Sequence, residues 1–158
     1  MASTRTMFKV EGLKDLDDAL VELAEEFHPR NAKNVLRSSL KDGGKIIADA
    51  ESALAPRGVT GQLAESPTVG TKLTRRQKKQ HTKESPIEMF VGPTPHPKSV
   101  QTEFGNAHQS AHPHLRPAFD NNVMRVLDVI KTAVAERLEK TRARLARKAA
   151  KLLAQNNS

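Results

Sequence analysis

Apolar residues recur every three or four positions in two long stretches of the chain, which is the spacing of one face of a helix. The first stretch runs from Leu13 to Phe27, and most of its other positions are aspartate or glutamate. The second follows Pro117, a residue suited to a helix start, with apolar positions at Phe119, Val123, Val126, Leu127, Ile130, Val134 and Leu138. Both stretches predict amphipathic helices that pack one face on a core.

A further helix is predicted from about Asn31, which suits an N-cap, to about Ala53. Gly43 and Gly44 interrupt its apolar pattern. Each glycine costs about 1 kcal/mol relative to alanine inside a helix. Two adjacent glycines therefore indicate a kink or a close backbone crossing, and we favour the crossing.

Short β-prone stretches bounded by turn residues predict a small sheet. Thr6–Val10 and Pro86–Val91 are predicted strands, and Val59–Val69 is predicted to form a turn followed by a strand. Thr94–Pro117 is rich in proline and histidine and is expected to be irregular. The pattern predicts an α+β domain, in which a small, mostly antiparallel sheet is packed by two N-terminal helices and a long C-terminal helix.

Composition limits the core and the compartment. The 158 residues include no Trp, Tyr or Cys and five Phe, so Leu, Val, Ile and Ala must fill the core. The absence of cysteine excludes disulfides and thiolate metal sites and suits a cytosolic origin. No apolar run approaches the roughly 20 residues needed to span a bilayer, and the first residues lack the apolar segment of a secretory signal. We expect a soluble protein that is made in the cytoplasm and has no membrane partner.

Positive charge is concentrated in the later parts of the chain. Residues 1–66 carry nine basic and eleven acidic side chains, residues 67–120 carry eight and four, and residues 121–158 carry nine and three. In the middle part, a basic loop over 72–84 should project as a flexible hairpin tip, because it has little apolar surface to bury. Its basic residues are Lys72, Arg75, Arg76, Lys78, Lys79 and Lys83. They could neutralise DNA phosphates without reading sequence, and a solvated loop is the alternative.

The last part of the chain predicts a basic helical arm, residues 139–158, beyond a single domain of residues 1–138. The apolar stripe thins after Glu139, and Arg142, Arg144, Arg147 and Lys148 become dominant. A membrane-surface helix would show bulky apolar residues opposite its basic face, whereas residues 140–153 offer mostly alanine. The arm is therefore predicted to dock on a protein partner or to fray.

Catalytic motifs are missing from the sequence. It has no Gly-x-Ser-x-Gly element, and Gly58–Gly61 lacks the Lys-Ser/Thr that completes a phosphate loop. The histidines His96, His108, His112 and His114 fall in a proline-broken loop, where exposed or backbone-bonded histidines are favoured over zinc ligands. We predict no enzymatic activity, no cofactor and no metal.

Three segments, in order, resemble the motifs of a known family. Residues 55–63 (APRGVTGQL) are similar to an AP-x-x-TG-x-L turn after the second helix, residues 103–106 (EFGN) to an EFGT signature, and residues 112–118 (HPHLRPA) to HPFLRPA. Together they resemble the tail-completion, or head–tail joining, family of siphophages and their prophages, over about residues 8–138. His114 and Asn106 depart from the Phe and Thr common in that family.

The resemblance implies a structural virion protein of the bacteriophage neck or upper tail, assembled in the host bacterial cytoplasm. It implies a ring, expected to be hexameric, that completes the tail and joins it to the DNA-filled head. The partners it implies are further copies of the chain, a tail terminator or tail tube protein, head-completion or connector proteins, and packaged double-stranded DNA. A tail terminator that caps the tube and sets its length is one alternative, and a non-specific DNA-binding accessory protein is another.

The motif residues are expected to maintain the fold or an interface rather than to do chemistry. They are Pro56, Gly61, Glu103, Phe104, Gly105, Pro113, Leu115, Arg116 and Pro117. Gly61 and Gly105 should adopt backbone angles that other residues resist. Phe104, Leu115 and Phe119 should pack the loop against the sheet, because few other large apolar residues are available.

Overall fold

A computed structural model describes Val21, residues 29–94 and residues 98–156. Its elements are α1 (Pro29–Leu54), β1 (Pro67–Gly70), α2 (Arg75–Gln80), β2 (Phe90–Pro93), α3 (Ser99–Phe104), α4 (Leu115–Asp120) and α5 (Val123–Asn156). The predicted α+β class is confirmed, with a two-stranded antiparallel sheet and a long C-terminal helix. The predicted strand Thr6–Val10 lies outside the described residues, as does the predicted helix Leu13–Phe27 apart from Val21, which is helical.

Helices α1 and α5 run antiparallel and make the most extensive contact between described elements. Ile47 and Val126 share one apolar cluster with Ala118, and Val35 and Leu138 share another. Ala118 is 0% exposed. The core therefore lies along the α1–α5 seam, with α4 and the β-hairpin packed onto α1.

The two glycines of α1 mark the close crossing that the sequence favoured. A Cβ added to Gly43 would lie 2.6 Å from Cγ1 of Ile130 in α5. One added to Gly44 would lie 2.8 Å from Cγ1 of Val69 in β1. Helix α1 continues unbroken through both residues. The crossing is confirmed, and it brings the long helix and the hairpin against neighbouring residues of α1.

Substituting Gly43 with valine should lower the free energy of unfolding by about 2 kcal/mol. Overpacking a dense core costs typically about 1–3 kcal/mol, and Ile130 is too stiff at its β-branch to yield freely. Denaturant unfolding followed by circular dichroism measures the change. Gly58→Val is the matched control, because no atom of the described part of the chain lies within 4 Å of a Cβ built there. Equal stabilities for the two variants would contradict the crossing.

The predicted strand Pro86–Val91 is shifted towards the C-terminus in the structure. Strand β2 spans Phe90–Pro93 and pairs antiparallel with β1. The carboxylate of Glu88 accepts the backbone N–H groups of Glu84 and Ser85 at 2.8 and 3.3 Å. A side chain that bonds to its own local backbone favours a turn over a strand, so pairing starts only after this turn.

Two predictions for this part of the chain were wrong. Thr94–Pro117 is not irregular throughout, and the helix predicted after it is not continuous. Helix α3 lies within Thr94–Pro117, and α4 and α5 are separate helices. Between them, Asn122 donates its backbone N–H to Phe119 O at 3.0 Å and its side-chain amide to Ala118 O at 2.9 Å. The amide competes with the regular helical bonds, which accounts for the break. Pro117 lies in the first turn of α4, where proline is tolerated.

The expected packing of three large apolar residues is correct for one of them. Leu115 packs against the cluster of Ile47, Ala118 and Val126. Phe104 is 68% exposed and Phe119 is 49% exposed, so neither holds the loop against the sheet. Polar contacts hold this part of the loop instead.

Candidate functional site

The second and third motif segments meet at a buried group of ionisable side chains. Glu51 of α1 is 0% exposed, and His114, the residue before α4, is 1% exposed. His114 Nε2 lies 3.8 Å from Glu51 Oε1, and His114 Nδ1 lies 2.8 Å from Glu103 Oε2. Helix α1, helix α3 and the start of α4 each contribute one residue to this group, which we call the Glu51–His114–Glu103 cluster.

Glu103 caps helix α4 from a distance in sequence. Its Oε2 accepts the backbone N–H groups of His114 and Leu115 at 2.8 and 3.0 Å, and its Oε1 accepts that of Arg116 at 3.1 Å. The first N–H groups of a helix have no partner within the helix, so this carboxylate satisfies them. Burial acts to raise the pKa of Glu103, but the three N–H bonds outweigh it, and the pKa lies below its usual value.

Glu51 has the opposite electrostatic environment. Among the residues that the structure describes, neither of its carboxylate oxygens has a hydrogen-bond partner. Burial, and secondarily the negative charge of Glu103, raise the pKa of Glu51 to about 7. The ring nitrogens of His114 likewise lack aligned hydrogen bonds, although Nδ1 lies close to Glu103. Buried polar atoms without partners are uncommon. Because hydrogen bonds do not hold Glu51 and the His114 ring in place, the packing around them must do so.

The interpretation of His114 as an exposed or backbone-bonded loop histidine was wrong. The available signal was Glu51, which follows Ile47 by four residues and so occupies the apolar face of α1, where a carboxylate calls for a polar neighbour. His108 and His112 are exposed, and His96 lies outside the described residues. Across residues 29–94 and 98–156, no group of three or more His, Asp or Glu side chains has the arrangement of a metal site.

The motif glycines adopt the backbone angles expected of them. Gly61 has φ of 64° and Gly105 has φ of 74°, both in the left-handed region that favours glycine. A Cβ on Gly105 would lie 2.9 Å from the backbone nitrogen of Ala111. The side chains of Pro56, Pro113 and Arg116 are exposed, and that of Pro117 is half-buried. Arg116 contributes its backbone N–H to the cap, and its exposed side chain is free to face a partner.

The basic loop projects from the fold, but it is not simply a flexible tip. It lies in the connection between β1 and β2, and its six basic side chains are exposed. Helix α2 forms within it, with a capping box in which Thr74 Oγ1 accepts the N–H of Gln77 and Gln77 Oε1 accepts the N–H of Thr74. Lys78 and Lys79 each lie about one turn after Arg75, so the three side chains share a face of α2. The Thr-x-x-Gln spacing was the signal that sequence reasoning missed.

The C-terminal arm is a continuation of α5. Helix α5 has 34 residues and is roughly 51 Å long at about 1.5 Å per residue. Thr141 is 8% exposed and Leu145 packs against Val35 and Leu138, so contact with α1 continues a few residues past 138. Beyond that point, Leu152 and Leu153 are 51% and 65% exposed. Arg144, Arg147 and Lys148 are exposed, and Arg142 is half-buried and lies 2.6 Å from Glu139.

A shallow groove of about 270 Å³ lies between α1 and α5. Its polar lining comes mainly from Asn31, Asn34, Ser38, Arg137, Lys140 and Arg144. The lining contains no carboxylate and no histidine, the groups that most often act as general bases. The groove therefore lacks the usual groups for acid–base chemistry, and two of its cations, Arg137 and Lys140, already pair with Asp42 and Glu136.

No helix in the described ranges is both long and apolar enough to cross a bilayer.

Comparison with protein-family models, curated proteins and solved structures found no match for this chain. The resemblance to the tail-completion family therefore rests on the three motifs.

Proposed function

We propose that the chain is a structural subunit, a minor tail protein of a siphophage neck or upper tail. In this proposal, copies of the chain form a ring that completes the tail and joins it to the DNA-filled head. The observation that supports it best is the contact between two motifs, in which Glu103 accepts the backbone N–H groups of His114, Leu115 and Arg116. Two segments that separately resemble the family's motifs thus meet in one helix cap, and this contact supports the proposal.

The exposed surfaces suit a ring subunit. A closed ring uses two different surfaces of each copy, which contact each other head to tail. The arm beyond Leu145 offers exposed leucines and basic residues to a neighbour. Helix α2 offers basic side chains away from the core, and these can neutralise DNA phosphates in a channel without reading sequence.

Deleting the gene from the encoding phage or prophage tests the role directly. The expected particles are DNA-filled heads and separate tails of normal length, visible by electron microscopy. Overlong tails would favour the tail-terminator alternative instead. Joined, infectious particles from the deletion would rule out both roles.

Neutralising helix α2 should impair head–tail joining or DNA retention while leaving the fold intact. Changing Arg75, Arg76, Lys78 and Lys79 to glutamine removes four charges from exposed positions. We expect infectious titre to fall at least about tenfold, since each lost phosphate contact weakens DNA binding. The control exchanges arginine and lysine at the same four positions, which keeps the charge and should keep the titre. An unchanged titre in the glutamine variant would contradict the proposed role of α2.

A further inference from the structure

Four cations form a continuous line along the outer face of α1. Lys33, Arg37, Lys41 and Lys45 are spaced by four residues and are all exposed. We call them the basic stripe. Each lies two residues before one of the buried positions Val35, Ser39, Gly43 and Ile47. Because two residues turn a helix by about 200°, the basic stripe points away from the core along the whole α1–α5 seam.

The arrangement of charges on α1 works against the stability of the helix. Like charges four residues apart repel each other, and the basic stripe contains three such steps in succession. The helix dipole favours acidic residues in the first turn and basic residues in the last, whereas α1 has neither. The exposed Asp49 instead lies near its C-terminal end. A solvated helical face normally alternates the two signs, so this order indicates a negatively charged ligand.

We infer that the basic stripe binds the phosphate backbone of double-stranded nucleic acid. Its cations are spaced by about 6 Å and span roughly 18 Å, a length along which a duplex presents several phosphates. Protein interfaces usually have an apolar or aromatic centre, but the one large apolar side chain exposed on α1 among the described residues is Leu54, beyond the stripe. Helix α1 carries no aromatic side chain on which single-stranded bases could stack.

This inference goes beyond the proposed function, because it adds a second surface and does not require a phage neck. It also differs from the assignment of DNA contact to helix α2. The basic stripe lies on a long helix packed into the core, so its geometry is fixed before binding. Contacts made this way neutralise phosphates but carry no base specificity.

Salt-dependent binding of the purified full chain to a fluorescent 20-base-pair duplex tests the inference. Wild type should bind at 50 mM salt, with log affinity falling linearly against log salt concentration. Changing Lys33, Arg37, Lys41 and Lys45 to glutamine should weaken binding at 50 mM at least about tenfold. The salt slope should fall by up to about 3.6, since each phosphate contact contributes about 0.9.

A charge-preserving variant, a melting measurement on the glutamine variant and the α2 glutamine variant make the outcome decisive. Exchanging arginine and lysine at the four stripe positions keeps the charge and should leave affinity unchanged. The glutamine variant should melt no lower than wild type, because it removes repulsion, so its lost binding cannot be unfolding. Unchanged binding in that variant, loss of binding only when the four α2 residues are neutralised, or binding to polyglutamate but not to the duplex would each overturn the inference. The purified-protein readout is independent of the particle phenotype that tests the proposed function.

Discussion

Replacing Glu103 with alanine should lower the free energy of unfolding by about 3 kcal/mol, more than a typical surface substitution. The carboxylate accepts three backbone N–H groups at the start of α4, and hydrogen bonds to charged groups contribute roughly 1.5–3 kcal/mol each without being additive. Alanine would leave these donors without their acceptor beside the buried His114. Chemical denaturation at pH 7 measures the loss.

The pH dependence of this loss separates the cap from simple packing. The pKa of Glu103 is lowered on folding, so its stabilisation is present above the unfolded value of about 4.5 and is lost as pH falls through the folded value. The gap between wild type and Glu103→Ala should therefore narrow below pH 4.5. Glu84→Ala, at an exposed position, should change stability little. A gap that does not vary with pH would mean that Glu103 contributes packing and not a charged cap.

Replacing Glu51 with glutamine should make the protein more stable at pH 8 by about 3 kcal/mol and leave stability near pH 4.5 almost unchanged. The pKa of Glu51 rises from 4.5 to about 7 on folding, and each pKa unit corresponds to about 1.4 kcal/mol. Glutamine stays neutral, so it avoids the cost of a buried negative charge. Unfolding curves at half-unit steps from pH 4.5 to 8 measure both effects.

The sign follows from proton binding. Between pH 4.5 and 7 the folded protein holds a proton on Glu51 that the unfolded chain releases, so this contribution to stability is complete below 4.5, declines across the window and is gone above 7. Wild type should therefore lose stability as pH rises through this range, and Glu51→Gln should not. Glu65→Gln, at an exposed position, should follow wild type. A flat wild-type curve would contradict the raised pKa of Glu51 in the folded protein.

Periodicity was enough to predict α1, the long C-terminal helix and the α+β class, because each depends on apolar residues repeated along one face. The Gly43–Gly44 crossing was also predictable, since few other causes place two glycines inside a helix. The α4–α5 break was not, because it depends on hydrogen bonds of Asn122 within a strongly helical pattern. Helix α2 was missed for a different reason. Its segment contains a single large apolar residue, Leu73, so no apolar periodicity indicated a helix after the Thr74–Gln77 capping box.

The Glu51–His114–Glu103 cluster depends on contacts between residues far apart in the chain. Glu51 and His114 are 63 positions apart in the sequence, and no local pattern links them. The resemblance even pointed away from a polar site, since phenylalanine is common in the family at the position of His114. What the sequence did contain was a carboxylate on the apolar face of α1. Only the packing of α3 and α4 against that face shows which residues surround it.

The crossing at Gly43 and Gly44 has a mechanical consequence. Ile130 of α5 and Val69 of β1 pack against the adjacent residues Gly43 and Gly44 of α1, and neither is a long flexible side chain. Close-packed interiors have low compressibility and transmit strain. A pull on the C-terminal arm would therefore pass through one turn of α1 to the β-hairpin and helix α2. We therefore expect an assembly that loads the arm to transmit part of that load to the β-hairpin.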